Sequence, residues 1–224
     1  MYFQYTDEHL NNLNQDYAVY SVNEEFSSRK KTKQVVEKSN IDPKNETNTI
    51  TTSDGQEFRV VATKSDPVTG FDGLAVAPIV NGEPDYKNVA VIAAGTDPGS
   101  PTKIDVGTAV AERESGLSPQ YYVADRFVKE IMDDPRYEVS QLSGYSQGSY
   151  MLKVGAKYHI PTTTFNAWFF YNSLSNEEKA FIDKNPAMFI DYRRNYDVVV
   201  FGNDFNHPEL FNKSFLEMPD TIYW

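Results

Sequence analysis

YEVSQLSGYSQGSYMLKVGAKY, residues 137–158, holds a serine at the centre of Gly-x-Ser-x-Gly, between a strand-like run and a helix-like run. Before the turn, Tyr137, Val139, Gln141 and Ser143 alternate with Glu138, Ser140 and Leu142. After it, Met151, Leu152, Val154, Gly155 and Tyr158 recur at helical spacing. A chain that passes from strand to helix this abruptly brings the positions two before and two after the serine together, where a Cβ would clash. Gly144 and Gly148 occupy both positions. The pattern predicts Ser146 standing proud at the carboxyl end of a strand, placed as a nucleophile.

Upstream, EFRVVAT and GLAVAPIV read as strands, NGEP as a turn, and NVAVIAAG as a buried strand whose nearly continuous apolar run fits a sheet covered on both faces. Helix (residues 119–132), strand, elbow, helix, strand (162–165), helix (175–184) and strand (188–193) follow in that order. Ser118-Pro119 reads as a cap with a first-turn proline, and Ser175 with Glu178 as a capping box. Residues 5–38, with Leu10, Leu13, Tyr17 and Tyr20 at helical steps, read as one or two amphipathic helices. The polar run after Asp42-Pro43 forms a linker, so residues 1–50 are expected to be a helical segment and linker, and 51–224 the main domain.

The balance of 21 Lys and Arg against 32 Asp and Glu, net −11, argues against nucleic acid as a partner. No window approaches the roughly 18–20 apolar residues of a spanning helix, and the opening MYFQYTDEHL has neither a basic nor an apolar signal region. The expectation is a cytoplasmic protein or one exported by a signal-independent route. Without cysteine there are no disulfides and no thiol chemistry, and His9, His159 and His207 are too scattered for a histidine-rich metal site.

A nucleophilic serine needs donors for the oxygen that turns negative during acyl transfer, and a base with an acid behind it. AAGTDPGS, residues 93–100, ends the buried strand in a tight loop one crossover before the serine, which assigns one donor to Thr96. The backbone of Gln147, the residue after the serine, supplies the other. Where the base follows the nucleophile in the chain, only His159 and His207 remain. His159 ends the helix after the turn, so His207 is the usable base. Asp197 precedes it on a loop, with Asp204 as its rival, while Asp191 lies within a strand.

IAAGTDPGS, GYSQGS and the late Asp and His resemble the cutinases, small serine esterases. SPQYYVADRFVKEI, GYSQGSYMLKVGAK, IPTTTFNAW and MFIDYRRNYDVVV are similar to class 3 lipases and their bacterial relatives, and the resemblance as a whole covers roughly residues 89–200. The likeness is incomplete: cutinases carry disulfides, and Ala167-Trp168 stands where class 3 lipases usually have Ala-Pro. The resemblance implies an α/β-hydrolase-type three-layer sandwich, with a mostly parallel central sheet and antiparallel front strands behind an N-terminal helical segment. It also implies Ser146 as nucleophile, Thr96 and Gln147 as oxyanion donors, and Asp197 as acid.

The expected activity is hydrolysis of carboxylic esters of lipids or small molecules, as a lipase or phospholipase, with no cofactor. A non-catalytic binding module, or an acyltransferase or peptidase on the same fold, is the alternative. Trp168, Phe169 and Phe170 are candidates for the acyl pocket or its lid, against the commoner use of such aromatics in a core. RKKTK, residues 29–33, offers transient contact with an anionic membrane surface, although a solvated helix face is the commoner use of such a run. The N-terminal helices could engage a protein partner. Asn45 and Asn212 open glycosylation-type triplets.

Overall fold

The computed structural model describes residues 3–37, 48–193 and 215–217. Among these, nine strands form one sheet in the order β1 (Thr49–Thr51), β2 (Glu57–Asp66), β3 (Phe71–Val80), β5 (Val89–Ala93), β6 (Val139–Tyr145), β7 (Thr162–Phe165), β8 (Phe189–Arg193) and β9 (Phe215–Glu217). The short β4 (Glu83–Pro84) pairs with β3 off this path. The front strands β1, β2, β3 and β5 pair antiparallel. From β5 onward every pairing is parallel. The expected turn between β3 and β4 is made by Asn81 and Gly82, both at positive φ (53° and 86°), the two-residue hairpin geometry that Asn-Gly favours.

Each face of the sheet is covered. On one side lie α4 (Gln120–Asp133) and α5 (Met151–Tyr158), with Val123, Phe127, Val128 and Val154 packed against Val89, Val91 and Leu142. The amphipathic stripe of α4 explains its placement, since its apolar residues recur on one side. Its N-cap is Pro119, one residue later than the sequence suggests, because the Ser118 hydroxyl accepts from Gln120 N–H at 3.3 Å without being the cap itself. Alongside α5, α6 (Asn176–Lys184) opens on the expected Ser175–Glu178 capping box. Lys153 of α5 donates to Glu178 at 2.6 Å and fastens the two helices.

The opposite face is covered by the N-terminal segment. Helices α1 (Asp7–Leu13) and α2 (Glu24–Lys30), joined through a 3-10 turn at Val19–Val22, bury Leu10, Leu13, Val19, Tyr20, Val22 and Phe26 against Phe58, Val76, Ile92 and Phe165. Helices of seven residues are not stable alone. Caps from Thr6 and Asn23 start them, and burial worth roughly 1.5–3 kcal/mol per large apolar side chain holds them down. Asn14 ties α1 to β6 by donating to Ser143 Oγ at 2.8 Å.

One helix is absent from the sequence reading. α3 (Ile104–Ser115) follows the loop after β5 and faces inward with Asp105, Thr108 and Glu112, leaving Val106 and Val110 exposed. A periodicity test looks for apolar residues on the buried side, and here they lie outside. The order of layers, the parallel core and the turn after β6 make this an α/β-hydrolase-type fold. No described helix is long and apolar enough to cross a membrane.

Candidate active site

Strand β6 ends at Tyr145. Ser146 follows with φ of +49°, and a 3-10 turn, Ser146–Tyr150, runs directly into α5. A non-glycine residue in the left-handed region stores backbone strain, of order 1–2 kcal/mol, and persists only where its surroundings enforce it. Those surroundings are tight. A Cβ on Gly144 would lie 2.1 Å from the Gly148 carbonyl oxygen, and one on Gly148 would lie 2.6 Å from that of Ala93. The two glycines let the turn close on itself and on the end of β5, which leaves Ser146 half-buried at the sheet's carboxyl edge.

The peptide after the serine is oriented from one side. Trp168 N–H donates to the Ser146 carbonyl at 3.0 Å from the β7 side. In a trans peptide the next N–H points the opposite way. Gln147 N–H, at the start of the turn, therefore points away from Trp168.

The Gln147 side chain completes the link to Thr96. It is buried, and its amide orientation is decided by neighbours of fixed polarity: Ala109 N–H can only donate and the Asp105 carbonyl can only accept. Oε1 therefore accepts from Ala109 N–H (3.0 Å), Thr108 Oγ1 (2.9 Å) and Ser118 Oγ (3.2 Å), and Nε2 donates to Thr96 Oγ1 (2.9 Å) and the Asp105 carbonyl (3.3 Å). Because the Thr96 oxygen accepts from Gln147, the hydroxyl proton of Thr96 remains to be donated elsewhere. The loop beyond is held by Asp105, whose carboxylate accepts from Asp97 N–H (3.0 Å) and from Gln120 Nε2 (2.9 Å). Burial raises the Asp105 carboxyl to about 6, and does the same for Asp72 beneath the loop, to about 7.

No protein-family model matches the sequence, and no curated protein matches it. A solved structure is similar. It is a triacylglycerol lipase from Penicillium expansum, 18% identical, with a TM-score of 0.36 over 63% of this chain and 62% of that one.

The predicted residues divide into three groups. Ser146, Gln147 and Thr96 meet at the carboxyl ends of β5 and β6. Asp197 and His207, with the rival Asp204, lie outside the described residues. The described histidines are engaged away from the turn. His9 closes the α1 capping box and meets Asp54 at 2.7 Å, and His159 is the left-handed C-cap of α5, stacked on Phe181 at 3.9 Å. α5 separates His159 from Ser146 by about 12 Å of helix. Asp191, set aside in the sequence as a strand residue, is buried with Arg193 at 2.5 Å and accepts from Thr164 Oγ1 at 2.9 Å.

The aromatic run splits by side. Trp168 and Phe170 are half-buried and meet edge-on at 5.7 Å, close to Ser146 through the Trp168 N–H bond. Phe169 points the other way into the cluster of Leu152, Ala156, Leu174 and Phe189, between α5 and β8. Sequence reasoning missed Thr108, Ser118 and Gln120, which hold Gln147 and the loop. Each is a lone polar residue in or beside a helix, and only contact across the fold marks it.

Proposed function

We propose that this protein is a serine hydrolase of carboxylic esters, acting on acyl esters of the lipid type. The observation that carries the reading is Ser146 held at positive φ on a strand-to-helix turn closed by Gly144 and Gly148, with Thr96 tied to the Gln147 side chain. Ser146 Oγ attacks the acyl carbonyl as His207 takes its proton, and Asp197 fixes the imidazole. The carbonyl oxygen, now negative, is met by Gln147 N–H and Thr96 O–H, in a setting where fixed donors act more strongly than water. Collapse expels the alcohol with the proton from His207. Water, deprotonated by the same histidine, then cleaves the acyl-enzyme and restores Ser146. Trp168 and Phe170 supply an apolar wall for the acyl chain, with Phe169 supporting them from the core.

A fluorophosphonate probe tests the reading. It should label Ser146 in the native protein and nothing in Ser146→Ala, and hydrolysis of p-nitrophenyl butyrate should disappear with it. His207→Ala and Asp197→Asn should each lower turnover by at least ~100-fold while leaving the protein folded. A folded wild-type chain that neither labels nor hydrolyses esters would be a binding module instead. Labelling with turnover only onto an added alcohol or amine would make it an acyltransferase.

A further inference from the structure

We infer that Tyr20, from the N-terminal segment, is a positioning residue for the oxyanion loop, an assignment that rests on the ester-hydrolase reading above. Its hydroxyl oxygen accepts from Gly95 N–H at 3.0 Å, across 75 positions of sequence. Gly95 is the residue before Thr96, and its N–H belongs to the Ala94–Gly95 peptide, so this bond fixes the chain one peptide ahead of the one that carries Thr96. The contact has little freedom to shift. Tyr20 is more than nine-tenths buried, its ring packs on Phe26 at 5.3 Å between centroids, and burial pushes its phenol well above the usual range, which keeps it protonated.

Gly95 is shaped for this partner. A Cβ there would lie 2.6 Å from the Tyr145 carbonyl oxygen and 3.0 Å from the Tyr20 hydroxyl. Only a glycine lets the loop lie against both the residue that precedes the nucleophile and the tyrosine. The same segment grips the loop again one residue past Thr96, where Arg29 pairs with Asp97. Between the two anchors runs a cleft of about 440 Å³, lined among others by Tyr20, Thr96 and Tyr145. Thr96 is therefore bracketed by bonds from the N-terminal segment at Gly95 and Asp97 and by Gln147 on its own hydroxyl. A buried backbone N–H with no acceptor is strongly disfavoured, so loss of the Tyr20 oxygen should rotate the Gly95 peptide toward another acceptor and swing Thr96 away.

The test is Tyr20→Phe in the full chain, which keeps the ring and its packing. On p-nitrophenyl acetate its kcat should fall about 10- to 100-fold with KM within about twofold, and fluorophosphonate labelling of Ser146 should slow to a similar degree. Leu13→Ala, a cavity in the same cluster, is the control for a merely structural role. It should lower the melting temperature while leaving kcat near wild type well below that temperature. 3,5-Difluorotyrosine in place of Tyr20 keeps the shape but weakens the oxygen as an acceptor, and should lower kcat several-fold even if Tyr20→Phe does not fold. Wild-type kcat in either Tyr20 variant, or a fall that Leu13→Ala reproduces, would overturn the positioning role while leaving the hydrolase reading intact. A folded wild-type chain with neither labelling nor turnover would overturn both.

Discussion

In the proposed reading Ser146 carries two opposed demands, exposure to substrate and a backbone conformation that its own Cβ disfavours. Replacing it separates them. Ser146→Gly should be more stable than Ser146→Ala by about 1 kcal/mol in urea unfolding, because glycine adopts φ of +49° without the side-chain penalty. Both variants should be inactive. A Ser146→Ala chain as stable as Ser146→Gly would mean that the turn is not strained. Gln147 acts through its side chain as well as its backbone. Gln147→Leu keeps the N–H and the volume but removes the donor to Thr96 and strands Thr108 and Ser118. Its kcat should fall by roughly tenfold or more, with a stability loss of about 1–3 kcal/mol from buried groups left unpaired. Unchanged kcat would show that Thr96 needs no such orientation.

At the scale of elements, α3 sets the most specific expectation. Its Glu112 is buried, with no partner for Oε2 among the described residues, and burial raises the carboxyl from 4.5 to about 9. Below pH 4.5 the group is protonated in both folded and unfolded chains and has no effect on stability. From there to about 9 the unfolded chain ionises while the folded one does not, so stability falls as pH rises, by about 1.4 kcal/mol per pH unit from this group. Glu112→Gln cannot ionise. It should match the wild type below about pH 4.5 and exceed it by a few kcal/mol, on the order of 5 at most, at pH 8. Parallel stability curves for the two proteins would show that Glu112 is already ionised in the fold.

The same helix marks where sequence reading stops. Strand β7 and helix α6 were legible to within a residue because a short β-branched run and the Ser175–Glu178 box are local signals. The elbow was legible because two glycines flank the serine at fixed spacing. α3 was not, since its inward face is polar and satisfied or strained only by partners distant in sequence. The grip of Tyr20 on Gly95 was invisible for the same reason. A tyrosine at a helical step reads as core, and its hydroxyl gains meaning only once the fold brings residue 95 to it.

Taken as a whole molecule, the chain has no separable front end among the described residues. In a three-layer α/β arrangement each sheet face needs cover. Here α4 and α5 cover one face, and the other, below β2, β3, β5 and β7, is covered largely by residues from 10 to 35. Leu10, Leu13, Val19, Val22 and Phe26 together leave water on contact with that face, so their removal would expose an apolar surface far larger than a stable monomer tolerates. The segment also carries both anchors of the loop that holds Thr96, Tyr20 at Gly95 and Arg29 at Asp97. Deletion of residues 1–37 should therefore abolish cooperative thermal unfolding, give strong binding of a hydrophobic dye, and eliminate labelling of Ser146. Adding the missing segment back as a separate peptide should restore part of the labelling, and a Tyr20→Phe peptide that packs equally well should do so poorly, because packing alone does not hold Gly95. A truncated chain that unfolds cooperatively and labels at the wild-type rate would show instead that the remaining sheet and helices stand alone, and that the N-terminal segment lies on the site without supporting it.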